Sequence, residues 1–115
     1  MKTEGIGLLL RVYVGEGDRF EGHPLTEVLV RRAREAGLAG ATVLRGTAGF
    51  GAHSRIHSGS LLRLSEDLPL VVEIVDTEAK VRAFLPAVDE LVREGLATLE
   101  RVEIVLYRPV SETGR

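Results

Sequence analysis

The stretch Arg45-Gly46-Thr47-Ala48-Gly49-Phe50-Gly51-Ala52-His53-Ser54-Arg55-Ile56-His57-Ser58-Gly59-Ser60 lies between two strand-like runs, and its reading decides the fold. It holds four glycines, two of the three histidines, three serines and two arginines. No apolar stripe at helical spacing follows Gly51, so the stretch does not open a helix. A plain hairpin needs only about two to five residues. The segment is therefore an enlarged connection between two strands. A loop with this much free backbone and this many polar side chains is where a small rigid domain carries its function.

Upstream of the loop, residues 41–45 read as a strand. Before it, Pro24 suits the first position of a helix. Leu25, Val28, Leu29, Arg32 and Ala36 follow near helical spacing, and Gly37 and Gly40 stop the run. Glu27 with Arg31, and Arg31 with Glu35, are i,i+4 pairs on its exposed side, so Arg31, Arg32 and Arg34 form a solvated face. Earlier still, Leu8, Leu10, Val12 and Val14 alternate with Leu9, Arg11 and Tyr13, the period-two pattern of a strand, and Gly15-Glu16-Gly17-Asp18 breaks it.

Downstream, residues 61–64 either begin the third strand or belong to the loop; Pro69 to Asp76 is its firm part, with Leu70, Val72 and Ile74 on one face. Thr77 is placed to cap a second helix whose stripe is Val81, Phe84, Leu85, Val88, Leu91 and Val92. Pro86 should kink that helix or mark its true start, and Gly95 ends it. Val102, Ile104 and Leu106 give a last strand ending at Pro109, and residues 110–115 are a loose tail. The order β-α-β-β-α-β predicts a single α+β domain over residues 1–115. It is a ferredoxin-like sandwich, with a four-stranded antiparallel sheet and two helices on one face.

The totals fit one core: 115 residues, 44% hydrophobic and 28% charged. A net charge of −2 with no basic run gives no footprint for nucleic acid. The absence of cysteine removes disulfides, thiolate metal sites and cysteine nucleophiles together. The apolar run from Ile6 to Val14 is too short to span a bilayer and lacks a cleavage signal, so the expectation is a cytoplasmic protein without direct membrane insertion.

By alternation, the sheet face away from the helices carries Leu9, Arg11, Tyr13, Val71, Glu73, Val75, Glu103, Val105 and Tyr107. That mixture is too apolar for a solvated face and marks an interface, with Arg11 pairing to Glu73 or Glu103. It predicts a homo-oligomer whose sheets pack together.

The motifs also carry a resemblance. Gly40-Ala41-Thr42-Val43-Leu44-Arg45-Gly46, Ala48-Gly49-Phe50-Gly51, Ile56-His57 and Leu62-Arg63-Leu64-Ser65-Glu66-Asp67-Leu68-Pro69 are similar to those of the PII-like bacterial proteins of the domain of unknown function 190 family. The similarity runs from the first strand to Pro109. It implies a homotrimer with the ferredoxin-like fold and a signal-transducing, non-enzymatic role. The PII superfamily binds nucleotides in clefts between subunits and uses the long loop after the second strand to contact a transporter, channel or enzyme. An adenine nucleotide is thereby the candidate ligand, and a membrane transporter or channel the candidate partner. Two departures stand out: residues 94–101 replace the Gly-Asp-Gly-Lys loop of ATP-holding PII proteins, and Ala52 replaces the arginine that often follows Gly-Phe-Gly.

The candidate ligand-binding residues are Gly46, Gly49, Phe50, Gly51, His53, Ser54, Arg101 and Arg108; Arg55, Ile56 and His57 would contact the partner. The glycines leave backbone N–H groups open to an anion, although the spacing is not the dinucleotide fingerprint. Arginine is the residue best suited to fork onto phosphate, and Arg63, Arg101 and Arg108 near strand ends serve equally well as ion-pair partners for the many glutamates. His53 and His57, four apart, raise a metal-binding alternative like that of the divalent-ion tolerance proteins, but no carboxylate lies within the segment. A small-molecule enzyme built on Ser54 or Ser58 with a histidine and Asp67 is the other alternative; it lacks a strained elbow and an evident oxyanion site. Ser65-Glu66-Asp67 either fixes a turn before Pro69 or closes the base of the loop.

Overall fold

The computed structural model describes residues 5–50 and 68–110. Its elements are β1 (Gly5–Gly15), β2 (Arg19–Phe20), β3 (His23–Pro24), α1 (Leu25–Glu35), β4 (Thr42–Arg45), β5 (Pro69–Asp76), α2 (Glu78–Leu91) and β6 (Leu96–Ile104). The main sheet has the order β4-β5-β1-β6, antiparallel at every step, and both helices lie on one side of it. This is the ferredoxin-like plan. The short β2–β3 hairpin is an addition that the sequence pattern did not announce, and Pro24 stands just before α1 as its cap residue rather than inside it.

Leu8, Leu10, Val12 and Val14 of β1 and Leu70, Val72 and Ile74 of β5 form the floor of the core. Leu25, Val28 and Leu29 of α1 and Val81, Phe84, Val88 and Leu91 of α2 close it from above. Each such side chain, once buried, contributes about 1.5–3 kcal/mol of transfer free energy, so the two helical stripes hold the layers together. Thr77 caps α2 as expected, its Oγ1 accepting the Lys80 N–H at 3.3 Å. The helix continues through Pro86 and stops at Leu91, four residues before Gly95.

The last strand differs from expectation. It starts at Leu96 and ends at Ile104, where alternation of Val102, Ile104 and Leu106 had placed residues 102–106 facing the helices. The ladder pairs Leu10 with Leu99, Leu8 with Arg101 and Ile6 with Glu103, so the odd-numbered residues share the helix side and Leu99 packs on the core. Val102 and Ile104 take the opposite face, across from Gly7 and Gly5. Gly7 makes the room: a Cβ there would stand 2.8 Å from Ile104 Cδ1 and 2.7 Å from the Asp76 carbonyl oxygen. Glu103 therefore does not reach Arg11. Glu100 does, with Arg11 Nη1 3.1 Å from its Oε1, while the expected Arg11–Glu73 pair forms at 3.0 Å.

One polar side chain is buried in the core region, among the described residues. Asp76 ends β5 at 0% exposure, where its Oδ2 accepts the Ala39 N–H at 2.8 Å and its Oδ1 the Thr77 N–H at 2.6 Å. It ties the α1–β4 connection to the corner between β5 and α2. Asp76→Ala leaves two backbone donors without their acceptor, and we expect a loss of about 1–3 kcal/mol in urea unfolding. Asp76→Asn, which keeps one carbonyl oxygen, should lose less.

Candidate functional site

The predicted loop leaves the sheet at the end where β1 finishes. Gly46 donates its N–H to the Pro69 carbonyl at 2.8 Å, and a Cβ there would meet Pro69 Cγ at 2.8 Å, so the crossing tolerates glycine alone without a shift. The Glu16 N–H bonds the Leu68 carbonyl at 2.8 Å, and Arg45 forms an ion pair with the Glu16 carboxylate. These contacts fix the base of the loop onto the β1–β2 turn. Beyond them Gly49 has φ +140° and Phe50 is 61% exposed. Gly51, His53, Ser54, Arg55, Ile56 and His57 lie outside the described residues, as do Ser58, Arg63 and Asp67.

The two arginines expected to complete this site lie elsewhere in the protomer. Arg101 is opposite Leu8, level with Asp76, whereas Gly46 is level with Pro69. Seven residues of β5 separate those levels, about 23 Å at the rise of a strand. Arg101 also turns to the helix side, where its Nη1 lies 3.3 Å from Glu78 Oε1. Glu78 in turn accepts from Arg82 Nε at 2.8 Å. The Arg82 hydrogen bond, then the charge of Arg101, hold the Glu78 carboxyl below its usual range. Arg108 follows β6, is exposed and has no ion pair among the described residues.

The structure instead places a cavity of about 420 Å³ on the open face of the sheet, within the size range of small-molecule sites. Its walls are residues 39–42 from the α1–β4 connection, Glu73 and Val75 from β5, and Ile104, Leu106 and Tyr107 from the end of β6 and beyond. Thr42 and Glu73 are register partners across β4 and β5, so their side chains stand side by side. Glu73 is anchored by Arg11, whose guanidinium is raised further above its usual range by this hydrogen bond. Alternation had assigned Glu73, Val75 and Tyr107 to this face; what it lacked was the path of the C-terminal stretch, which brings Leu106 and Tyr107 against residues 39–42. The wall is apolar but for Glu73 and the hydroxyls of Thr42 and Tyr107.

No group of three or more histidine, cysteine or acidic side chains is arranged to hold a metal among the described residues, and His23, on β3, is exposed. No helix there is long and apolar enough to cross a membrane.

Comparison with known proteins agrees with this fold. Residues 7–104 match the model of DUF190, an uncharacterised ACR family. The chain is 44% identical over 97 residues to a UPF0166 protein of Aquifex aeolicus, a match covering 84% of this chain and 91% of the relative. It is 33% identical over 85 residues to a UPF0166 protein of Methanocaldococcus jannaschii, covering 74% and 78%. Among solved structures it is similar to CPII of Thiomonas intermedia K12 bound to ADP and bicarbonate, with a TM-score of 0.55, 17% identity and coverage of 88% and 90%. At that identity the likeness establishes the fold.

The Arg101–Glu78–Arg82 cluster gives a pH test of its own. A carboxyl lowered in the folded state stabilises above its unfolded value and loses that contribution as pH falls through the folded one. Glu78→Gln should therefore melt below the wild type at neutral pH. The gap should close as pH is lowered through and below the ordinary glutamate range, where the lowered Glu78 carboxylate takes up its proton. A gap that stays constant across that titration would show that the pairs contribute nothing.

Proposed function

The chain belongs to the DUF190 family, and from that membership and the geometry of its site we propose that it is a PII-like regulator acting by binding rather than catalysis. Its unit would be a homotrimer holding a small anionic ligand between subunits, with the loop of residues 46–60 carrying the ligand state to a partner protein. A cytoplasmic location and a membrane transporter or channel as partner fit this reading.

One observation carries it. The open sheet face supplies a surface for such an assembly: Tyr13, Val71 and Val75 lie around the Arg11–Glu73–Glu100 cluster, and Leu44 and Leu96 flank them at 46% and 57% exposure. Apolar area of this kind, left open on a monomer, marks an association surface. The ADP in the similar CPII structure makes adenine nucleotides the first ligands to try. Binding that favours one arrangement of the loop shifts its population and so the affinity for the partner.

Light scattering at micromolar concentration should give three times the 12.5 kDa chain mass, and a monomer would contradict the assembly. Calorimetry against ATP, ADP, AMP and cyclic nucleotides should give saturable heat for at least one of them; flat titrations throughout would remove the nucleotide from the reading.

A further inference from the structure

We propose that Arg11 is a positioning residue for the open-face cavity. By holding Glu73 as an oriented acceptor, it makes the inner wall select a hydrogen-bond donor on the ligand, an amino or hydroxyl group, and turns the ligand's anionic group outward, away from the like charge of Glu73. This deepens the reading above and rests on it.

Glu73 is the one charged side chain lining the cavity among the described residues. Its Oε2 is taken by Arg11 Nε at 3.0 Å, and its Oε1 has no partner there. An ionised carboxylate only accepts. A phosphate pressed against it meets a like charge, whereas a neutral donor completes its bonding. Arg11 is suited to hold it because the guanidinium donates in two directions: Nε to Glu73 and Nη1 to Glu100 Oε1 at 3.1 Å. The planar fork thus fixes the Glu73 carboxylate from the β1 side, away from the cavity mouth. A lysine at position 11 would keep the charge but not the fork.

The sign of the effect separates this role from simple electrostatics. If Glu73 merely repelled an anionic ligand, removing its charge would tighten binding. If it accepts a bond from the ligand and is held for that purpose by Arg11, removing the charge weakens binding. The test is calorimetry with ADP as probe on the full chain and on Glu73→Gln, Arg11→Met, Arg11→Lys and Glu100→Gln, each checked for the wild-type assembly and melting transition. We expect Glu73→Gln and Arg11→Met to weaken ADP by about tenfold or more, the size of one good hydrogen bond to a charged group. Arg11→Lys should fall between them and the wild type. Glu100→Gln, the same charge change outside the cavity, should stay within about threefold of the wild type, since an exposed pair is worth little. If Arg11→Met fails to fold, Glu73→Gln and Arg11→Lys decide the matter. Unchanged or tighter binding by Glu73→Gln, or an equal loss in Glu100→Gln, overturns the proposal while leaving the nucleotide reading intact. No ADP binding by the wild type overturns both.

Discussion

β1 is hydrogen-bonded along both edges, to β5 and to β6; its side chains are buried toward the helices, and on the other face Arg11 and Tyr13 are half-buried. That double constraint organises the molecule. A strand in the middle of a sheet has no freedom to slip, because a one-residue shift would turn Leu8, Leu10, Val12 and Val14 out of the core. Both β5 and β6 take their level from it. So do the two ends of the sheet: Gly15, Pro69 and Leu96 gather at one, Gly5, Asp76 and Ile104 at the other.

The functional features follow from those two ends. At the first, Pro69 receives Gly46 and the enlarged loop departs. At the second, Asp76 holds the α1–β4 connection in place, and that connection forms one wall of the cavity. A buried carboxylate satisfied by two backbone N–H groups is a rigid fastening, since any displacement strands donors as well as a charge. It keeps residues 39–42 close to Val75 and the C-terminal stretch. The Arg11 cluster lies between the two ends, on the face that remains open among the described residues. The same side chains therefore bear on cavity polarity and on the surface available for assembly.

Much of the fold was legible in the residues. Period-two alternation in residues 8–14 and 70–74, the helical stripe from Val81 and the capping threonine at position 77 read as they fold, because each is a local pattern; the stripe from Leu25 holds through Leu29, beyond which Ala33 rather than Ala36 enters the core. The last strand was not. Val102, Ile104 and Leu106 alternate more regularly than Ala97, Leu99, Arg101 and Glu103, so periodicity favoured the set that the fold turns away from the helices. The missing side chain of Gly7 on the neighbouring strand leaves the room for Ile104 there, a fact that no window on residues 96–106 contains. The consequence reached the candidate site. Arg101 turned to the helix side, into Glu78, and Glu100 rather than Glu103 met Arg11.

The sequence by itself determined the order of elements, the apolar stripes that bury them and the position of the long glycine-rich connection between the two βαβ halves. These depend on neighbours within a turn of helix or a few residues of strand. Only the tertiary structure decided which face of β6 meets the core and that residues 39–42, Glu73 and Tyr107 enclose one cavity. Those outcomes depend on register and on space left by residues distant in sequence. Antiparallel pairing carries such information across the sheet, and a linear pattern does not.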